Sequence, residues 1–318
     1  MEEIKKITIQ SGVGKFGDNE DKIDNIELKM GQVVSIVGPT GSGKTNLIND
    51  IALFANRNTP SNRRVLINDA LPPSEYIEDP SKNPVSYITQ HTNFLSDLPV
   101  YKFLSIHAKI RNGHSNNDAV VEETLDFANK LTGEPINKDG SMTALSGGQT
   151  RSLLISDAVV IGNSPIILLD EIENAGIHRT RALELLRNYK KIFIFVTHDP
   201  RITLLSDFRV IMKNGAIQNL ITTNENEKKA VLTIKNIDDL MLELRMLIRD
   251  GQYINPQFIR SKIVHCLSTI DGSGSGSDKN QDFSDVPDFH NIHNVQNVQN
   301  VQNAQNAQNI QNIHKELN

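Results

Sequence analysis

The sequence has little of what a secreted, membrane-spanning or nucleic-acid-binding chain requires. Cys266 is the only cysteine among 318 residues, so no disulfide can form within the chain, and a reducing compartment is favoured. No apolar run reaches the length of about 18 residues that a membrane-spanning helix needs. The stretch Met1-Glu2-Glu3-Ile4-Lys5-Lys6 lacks the apolar core of a signal peptide. A net charge of −5 and a pI of about 6.0 leave no basic surplus, so we expect no nucleic acid partner.

The stretch Gly38-Pro39-Thr40-Gly41-Ser42-Gly43-Lys44-Thr45 has the pattern G-x-x-x-x-G-K-[ST] of a phosphate-binding loop. The apolar run at residues 32–37 before it suits a buried strand, and residues 46–53 after it have apolar positions at helical spacing. The glycines let backbone N–H groups approach phosphate oxygens, and the helix adds its positive N-terminal end. Lys44 would reach the β- and γ-phosphates of a nucleotide, and the Thr45 hydroxyl would bind Mg²⁺. The alternative, an ordinary glycine-rich turn, does not explain why both flanks fit.

A series of short apolar segments predicts a parallel β-sheet with polar residues at its strand ends. Helical stretches near residues 99–112 and 117–132, and after Gln149, lie between the later segments. This alternation is typical of an α/β fold, in which ligands bind at the carboxyl ends of the strands. Asp170-Glu171 and His198 end two of the segments, so we expect them to converge with the phosphate-binding loop. The candidate strands are residues 4–10, 25–28, 31–37, 64–69, 85–89, 165–171 and 191–198.

Phe16 is an isolated aromatic residue in the Gly- and Asp-rich loop at residues 11–22. One interpretation is a ring that stacks on the adenine of a nucleotide. The other is a turn residue that packs locally, and the sequence leaves both open.

Beyond residue 225 the character of the sequence changes, and we predict a helical appendage over residues 226–270. It would contain two helices, one capped by Asn236 and closed by Gly251, the other opened by Asn255-Pro256. Apolar residues lie on one face of the first helix, which favours packing over a binding surface. The predicted helices run from Ile237 to Asp250 and from Pro256 to about Ile270.

Residues 271–318 predict a flexible linker and a disordered tail. The linker is the Gly-Ser stretch 271–277, and residues 291–313 repeat Asn-x-Gln or Asn-x-His in triplets. A period of three fits neither a helix face nor a strand face, and the triplets have too little apolar bulk for a core. Two sharper alternatives are a self-associating tail and weak metal binding by His290, His293 and His314.

The stretch Leu145-Ser146-Gly147-Gly148-Gln149, termed here the signature stretch, lies between the phosphate-binding loop and the strand that ends in Asp170-Glu171. With Gln90 also in between, this order of motifs resembles the ATP-binding cassette (ABC) ATPase family over residues 1–225. The resemblance implies an α/β fold with a P-loop NTPase core and parallel sheet. It also implies an antiparallel β subdomain and a helical subdomain that carries the signature stretch.

The resemblance also implies a role for each motif residue. In this family two cassettes enclose two ATP molecules, and the phosphate-binding loop of one faces the signature stretch of the other. Glu171 matches the general base, His198 a residue that hydrogen-bonds the γ-phosphate, and Gln90 a residue that contacts Mg²⁺ and the attacking water. The implied catalytic residues are Glu171, His198 and Gln90; the implied metal-contacting residues are Thr45, Gln90 and Asp170; the implied nucleotide-binding residues are Gly38, Pro39, Thr40, Gly41, Ser42, Gly43, Lys44, Thr45, Phe16, Ser146, Gly147, Gly148 and Gln149.

Two stretches depart from the pattern of the family. Residues 172–177 replace the usual continuation after the catalytic carboxylate, and Ile177 takes the place of an aspartate that crosses the dimer interface. Arg151 stands one position earlier than the arginine of the family. The replacement by Ile177 puts communication between the two ATP sites in doubt, but not the chemistry, and both departures argue against assignment to a common transporter subfamily.

Two functions follow from the resemblance, both with ATP and Mg²⁺ as cofactors. The first is a cytoplasmic ATPase subunit that forms a homodimer or heterodimer with a second cassette and powers transport through separate transmembrane subunits at the inner face of the cell membrane. The second is a soluble ATPase in macromolecular or cofactor (cluster) assembly, which the altered stretch 172–177 favours. A regulator that no longer hydrolyses ATP is disfavoured, because Lys44, Asp170, Glu171 and His198 are all present.

Overall fold

A computed structural model describes residues 3–14, 17, 19–112, 117–132, 134–171 and 179–270. Phe16, the altered stretch 172–177 and residues 271–318 lie outside the described residues, so what the sequence predicts for them stays a prediction. Within the described ranges, no helix has the length and apolar character that crossing a membrane requires.

The larger sheet positions the candidate site. Neighbouring strands of this sheet are parallel, except for the pair at one edge, which is antiparallel. The parallel sheet predicted from the sequence is therefore confirmed up to this edge strand. In the described chain the order is β5 (Val85–Ile88), β6 (Ile166–Asp170), β7 (Ile192–Val196), β3 (Val33–Val37), β8 (Phe208–Lys213) and β9 (Ala216–Thr222).

A second, smaller sheet is antiparallel throughout. It has the spatial order β2 (Asn25–Lys29), β1 (Lys6–Gln10) and β4 (Arg64–Ile67). Burial alternates along β2, as expected of a strand with one face in the core. This sheet confirms the antiparallel subdomain.

The helices complete the predicted α/β fold class. The helices predicted after the phosphate-binding loop and after the signature stretch are present, but they begin two to three residues earlier than expected, inside the motifs, at Lys44 and Gly147. The helices are α1 (Lys44–Ala52), α2 (Glu75–Glu78), α3 (Val100–Asn112), α4 (Asn117–Leu131), α5 (Gly147–Val159), α6 (Arg179–Arg187), α7 (Pro200–Leu205), α8 (Glu225–Arg249) and α9 (Pro256–Ile270).

The central strands β3, β6 and β7 are covered on both faces. On one face, α1 packs Leu47, Ile48 and Ile51 into a core that continues into the smaller sheet. On the other face, α5 and α6 bury their apolar residues against Phe193 and Phe195. Burial on both sides explains why these strands read as continuous apolar runs.

Two elements differ from the sequence-based expectation. The strands β8 and β9 were not predicted; they are joined at Asn214 and Gly215, which both have positive φ angles. The helix predicted from Ile237 to Asp250 is wrong about its beginning, because α8 begins at Glu225. Its cap is Asn224 rather than Asn236, since the Asn224 side chain accepts the Glu227 N–H while the Glu227 side chain accepts the Asn224 N–H.

Helix α8 is attached to the larger sheet and to α7 near its beginning. Arg209 of β8 pairs with Glu227 at 2.6 Å, and Arg201 of α7 has its Nε 2.8 Å from an oxygen of Asp238. Val231, which lies between Glu227 and Asp238 in the sequence, is buried. The start of α9 at Pro256 agrees with the expectation, whereas the domain boundary at residue 225 stays a prediction.

Arg63 is fully buried at the junction of the two sheets and α1. Its guanidinium lies 2.8 Å from Asp21 and 3.2 Å from Asp50 of α1, and it donates to the Gly215 carbonyl at 3.0 Å. Burial acts to raise the pKa of Asp21, but the hydrogen bonds and charge of Arg63 outweigh it and hold this pKa below its usual value. We term these three residues the Arg63 cluster.

Lys191 is a second buried charge, at the opposite edge of the sheet from the strand ends that carry the motifs. Its Nζ donates to the Asn163 side chain at 2.7 Å, and only 6% of the residue is exposed. Burial lowers the pKa of Lys191 from 10.5 to about 8.

Lys191→Met is expected to stabilise the protein at neutral pH. Between pH 8 and 10.5 the unfolded chain holds this proton more tightly than the folded chain, so wild-type stability rises with pH there, by up to about 1.4 kcal/mol per pH unit. The variant loses this rise. Urea unfolding at several pH values between 8 and 10.5 measures the free energy of unfolding, and Lys190→Met, at an exposed site, is the control. If the free energy of unfolding changes with pH equally in wild type and Lys191→Met, the lowered pKa of Lys191 is contradicted.

Candidate functional site

The phosphate-binding loop connects β3 to α1, as the motif requires. Lys44 is buried at the first position of α1, and its ammonium donates to the carbonyls of Gly38 and Pro39 at 2.9 and 3.1 Å. The loop therefore closes around its own lysine. The positive charge of Lys44 thus lies within the loop formed by residues 38–45.

Two glycines of the loop have no room for a side chain. A Cβ at Gly38 would lie 2.3 Å from the Met212 carbonyl oxygen, and one at Gly43 would lie 2.9 Å from the Gly215 Cα. Gly43 also has a φ of +96°, a conformation that L-residues rarely adopt. The close packing of this loop against the β8–β9 turn thus demands glycine at both positions.

The loop contains polar groups that fit a phosphate ligand. The Ser42 hydroxyl is buried, and within the described residues no atom hydrogen-bonds to it. A buried polar group without a partner is costly, and a phosphate oxygen would satisfy it. Together with the Lys44 ammonium and the N-terminus of α1, this hydroxyl fits the phosphates of a nucleotide.

Four strand ends meet at one edge of the larger sheet. Ile36 of β3 pairs with Val196 of β7, and Val196 pairs with Asp170 of β6, so these residues form one row across the sheet. Ile88, the last residue of β5, pairs with Leu169 in the next strand. The loop 38–45, Asp170-Glu171, His198 and Gln90 all follow this edge, so the predicted convergence of the first three is observed.

Glu171 and His198 face each other at this edge. The His198 Nε2 lies 3.6 Å from the Glu171 Oε1, and both side chains are partly exposed. Glu171 has a φ of +50°, and its N–H donates to the Val196 carbonyl at 2.9 Å. A left-handed conformation in a non-glycine residue is uncommon. Here it turns the chain after β6, so that the Glu171 and Asp170 side chains occupy successive positions at the sheet edge.

Asp170 is joined to the neighbouring strand by Tyr87. The Tyr87 hydroxyl donates to the Asp170 Oδ2 at 3.4 Å. Burial, together with the charge and hydrogen bond of Asp170, raises the pKa of Tyr87 to about 12, so the phenol stays a donor at neutral pH. The sequence analysis did not single out Tyr87, and only the pairing of β5 with β6 places it there.

The oxygen groups at this edge suit Mg²⁺ held jointly with phosphates. Within the described residues no cluster of three or more His, Cys, Asp or Glu side chains could hold a metal alone. Mg²⁺ usually takes one or two protein oxygens and completes its shell with phosphates and water. Asp170 and the exposed Thr45 hydroxyl, at the start of α1, match that requirement.

Gln90 is exposed, two residues beyond the end of β5, in a segment held by Arg151 of α5. The Arg151 guanidinium donates to the carbonyls of Thr89 and Thr92, at 2.6 and 2.9 Å. Arg151, singled out above only as a departure, thus links the helix of the signature stretch to the segment that carries Gln90.

The signature stretch forms the N-terminus of α5. The Ser146 hydroxyl accepts the Gln149 N–H, and the Gln149 side chain accepts the Ser146 N–H at 2.9 Å, which is a capping box. Ser146 also donates to Glu134 at 3.2 Å. Among the described hydrogen bonds, those of the signature side chains stay within residues 134–149, and none reaches the loop 38–45.

Comparison with known proteins decides the family. Residues 22–174 match the sequence profile of the family described as ABC transporter. An uncharacterised ABC transporter ATP-binding protein of Methanocaldococcus jannaschii is 47% identical over 257 residues, which are 81% of this chain and 97% of that relative. This chain belongs to the ATP-binding cassette family.

The cassette is also similar to the spermidine/putrescine import ATP-binding protein PotA of Bacteroides fragilis. The two are 32% identical over 233 residues, which are 70% of this chain but 48% of PotA. The chain therefore spans about half the length of this relative.

Solved cassettes share the fold. One is a dimeric ATP-binding cassette in a post-hydrolysis state with ADP and phosphate, with a TM-score of 0.53 and 21% identity over 69% of this chain and 99% of that chain. Another is a Clostridium perfringens protein described as part of the ABC transporter complex cbiONQ, with a TM-score of 0.54 and 22% identity over 73% of this chain and 94% of that chain. At these identities the likeness concerns the fold, and it confirms the predicted fold class. Nucleotide binding is a property of the family, and ATP hydrolysis is expected of it.

The structure of the cassette separates the predicted site residues into two groups. The phosphate-binding loop, Gln90, Asp170-Glu171 and His198 follow neighbouring strands at one edge of the sheet. The signature stretch lies apart, on α5, and Phe16 is outside the described residues. Sequence reasoning missed three further residues next to these groups, Tyr87, Arg63 and Glu134. Each contacts a motif, or the helix that carries one, from a distant position in the chain.

Proposed function

We propose that this protein is an ATP-hydrolysing cassette that dimerises around two MgATP and powers transport through separate membrane subunits. The observation that supports it most directly is the meeting of four motif-bearing segments at one edge of the sheet, with the signature stretch on a different helix. The first set has the groups for phosphate binding and water activation. The second lies at a helix N-terminus, which suits a phosphate supplied from elsewhere.

ATP binding is assigned to the loop 38–45. The Lys44 ammonium would exchange the carbonyls of Gly38 and Pro39 for phosphate oxygens, and the Ser42 hydroxyl would gain the partner that it lacks among the described residues. The amides at the start of α1 add partial positive charge. Thr45 and Asp170 would hold Mg²⁺, with Gln90 beside them. When bound, this ion would neutralise charge on the phosphates.

Hydrolysis is assigned to Glu171, Gln90 and His198. Glu171 would accept the proton of the attacking water, because it follows the end of β6 directly beside Asp170, which would hold Mg²⁺. His198 lies 3.6 Å from Glu171 and would donate a hydrogen bond to the γ-phosphate. Gln90 would orient the water. Positioning and charge stabilisation are the main contributions that phosphoryl transfer requires.

The separation of the two groups of residues supports the proposed dimerisation. The Ser146 hydroxyl and the amides of Gly147 and Gly148 stand at a helix N-terminus, which suits an anion. Because the described hydrogen bonds do not join the signature stretch to the loop of the same chain, we assign its phosphate to a second cassette. A complete site would then use two chains.

The transport function requires a surface for membrane subunits near the ATP site. Leu95, five residues after Gln90, has 98% of its surface exposed, and Ile110 of α3 has 74%. Contiguous exposed apolar patches are typical of docking surfaces, and we assign Leu95 and Ile110 to such a patch. Arg151 joins this segment to α5, which carries the signature stretch. ATP bound beside Gln90 or at the signature stretch would therefore move the residues of the docking surface. The protein would then lie at the inner face of the cell membrane through its partners.

Gentle extraction of the protein from its own cells tests the transport assignment. We expect an untagged membrane protein with several spans to copurify with it, and Leu95→Asp to release that partner without changing ATP affinity. A wholly soluble set of partners would instead support the second candidate, an ATPase in macromolecular or cofactor assembly. The altered stretch 172–177 favours that alternative, because it departs from the pattern of the family.

Lys44→Ala is expected to weaken MgATP binding about 10- to 100-fold, because a charged hydrogen bond to phosphate contributes roughly 1.5–3 kcal/mol. Isothermal titration calorimetry with a non-hydrolysable ATP analogue measures the affinity. Lys82→Ala removes the same charge from an exposed site that pairs with Glu75 and serves as the control. Wild-type affinity in Lys44→Ala, with a folded protein, would remove the assignment of the loop.

A further inference from the structure

Glu134 lies against the signature stretch although it is far from it in the chain. Its Oε2 accepts the hydrogen bond of the Ser146 hydroxyl at 3.2 Å, twelve positions away. The next residue is held as well, because the Gln149 side chain donates to the Pro135 carbonyl at 3.0 Å. The segment that carries Glu134 is thus fixed to the N-terminus of α5 at two points.

Glu134 places a negative charge at that helix terminus. The first turn of α5 contains no acidic residue of its own, so Glu134 supplies the anionic group from outside the helix. Lys138, the next basic residue along the chain, does not neutralise it, because its ammonium lies 3.8 Å from Glu122 instead. Glu134 is exposed, and the space beside Gly147 is open.

A carboxylate and a phosphate would compete for the same groups here. A serine hydroxyl has one proton to donate, so Ser146 cannot donate to Glu134 and to a phosphate oxygen at once. The two anions would also repel each other in front of one helix terminus. Binding of a phosphate therefore requires the Glu134 carboxylate to give up its hydrogen bond and to tolerate a second negative charge.

We propose that Glu134 sets the affinity of the signature stretch for the γ-phosphate of ATP held by the second cassette, and that it lowers this affinity. The inference rests on the proposed function, because it takes the dimer around ATP as given. Glu134 occupies the signature stretch of a separate cassette, and ATP on the partner displaces it. Its charge thereby raises the ATP concentration at which two cassettes associate.

Two substitutions separate the charge of Glu134 from its hydrogen bond. Glu134→Gln keeps an oxygen that can accept the Ser146 proton but removes the charge. Glu134→Ala removes both. Asp126→Asn, which neutralises an exposed carboxylate on α4, is the matched control for net charge.

The experiment measures ATP-dependent dimerisation of the full-length protein by light scattering. It uses a Glu171→Gln background so that ATP is not consumed. We expect Glu134→Gln to reach half-maximal dimerisation at a roughly three- to fivefold lower ATP concentration than the parent, the size of an exposed charge interaction. This difference should shrink in high salt, because salt screens exposed charges. Asp126→Asn should match the parent.

Each outcome decides the inference. If Glu134→Gln needs as much ATP as the parent or more, the charge does not oppose binding and the inference is wrong. If Glu134→Ala weakens dimerisation while Glu134→Gln does not strengthen it, Glu134 only orients the serine, which also overturns it. Dimerisation of Glu134→Gln alone would support it. If neither the parent nor the variants dimerise, the proposed dimer fails and the inference with it. ATP affinity of each separate cassette and its melting temperature report whether a variant is folded.

Discussion

Glu171→Gln is expected to lower the rate of ATP hydrolysis by about 100-fold or more, because a general base contributes roughly 10²- to 10⁴-fold. MgATP affinity should not fall. The Glu171 carboxylate is placed at the end of β6 by a backbone turn with a φ of +50°, and glutamine can occupy the same space. The amide is a poor base, so the substitution removes the chemistry and keeps the shape.

The same variant should form a lasting dimer in ATP. In the proposed arrangement each γ-phosphate contacts the phosphate-binding loop of one chain and the signature stretch of the other, and hydrolysis breaks that connection. A variant that binds without hydrolysing keeps it. Loss of the negative charge near the phosphates favours the bound state further. Size-exclusion chromatography in ATP and in ADP measures the dimer, and a phosphate-release assay measures the rate.

The hydrolysis rate is the more decisive of the two measurements. Glu184→Gln, which changes an exposed residue of α6, is the control and should hydrolyse ATP at the wild-type rate. A wild-type rate in Glu171→Gln would show that another group accepts the proton. Lack of a dimer with a stalled rate would keep Glu171 as the base and would count against the proposed dimer of two cassettes.

Arg63→Met is expected to lower the free energy of unfolding by about 3–5 kcal/mol, the usual cost of leaving buried charges without their partner. Asp21 and Asp50 lie 2.8 and 3.2 Å from the guanidinium, and all three side chains are almost entirely buried. Methionine fills much of the space but satisfies neither carboxylate. Urea unfolding at neutral pH in the absence of nucleotide measures the loss.

Arg64→Met is the matched control for Arg63→Met. Arg64 is the next residue of β4, is partly exposed and bonds to the Asn56 side chain at 2.9 Å, so its loss should change stability little. The double variant Arg63→Met with Asp50→Asn should recover part of the loss, since it removes one unpaired charge and keeps an oxygen to accept the Ser61 hydroxyl. Equal effects of Arg63→Met and Arg64→Met would show that the Arg63 cluster contributes little.

The pH dependence of the loss has a definite sign. Arg63 holds the pKa of Asp21 below its usual value, so its contribution is present above the ordinary range of an aspartate. It is lost as the pH falls through the lowered pKa of the folded state. The difference in stability between wild type and Arg63→Met should therefore narrow in acid.

Local signals explain the part of the structure that the sequence predicts. The glycine pattern at 38–45 has a β-rich run before it and helical spacing after it, so the strand, loop and helix each have their own evidence. The signature stretch contains Ser146 and Gln149 at the spacing of a capping box, and that box is present. Buried parallel strands also show continuous apolar runs, which is why β6 and β7 were predicted.

The hairpin β8–β9 and the start of α8 were not predicted correctly, although the sequence contains a signal for each. Asn214-Gly215 between apolar segments is a strong hairpin signal, and it marks the turn between β8 and β9. The first half of α8 is rich in charge and has little apolar periodicity, so the apolar pattern alone predicts a later start, capped by Asn236. The pair Asn224 and Glu227 has the spacing of a capping box and locates the true start.

Other contacts join parts of the chain that no local pattern relates. Arg63 meets Asp21 and Asp50 only because β4, the loop before β2 and helix α1 pack together. Glu134 reaches Ser146 because the turn after α4 folds back on α5. Such pairings depend on the path of the chain, which a single sequence read by periodicity does not contain.

The bonds of Arg151 to the segment after β5 go to main-chain carbonyls, those of Thr89 and Thr92. A carbonyl oxygen is available at almost any residue, so the connection places no demand on the side chains of that segment. If Leu95 and its neighbours form the proposed docking surface, they can therefore be exchanged to suit another partner while α5 and the segment of Gln90 stay joined. Substitutions at a few exposed positions would then fit the cassette to a different partner protein and leave its ATP site unchanged.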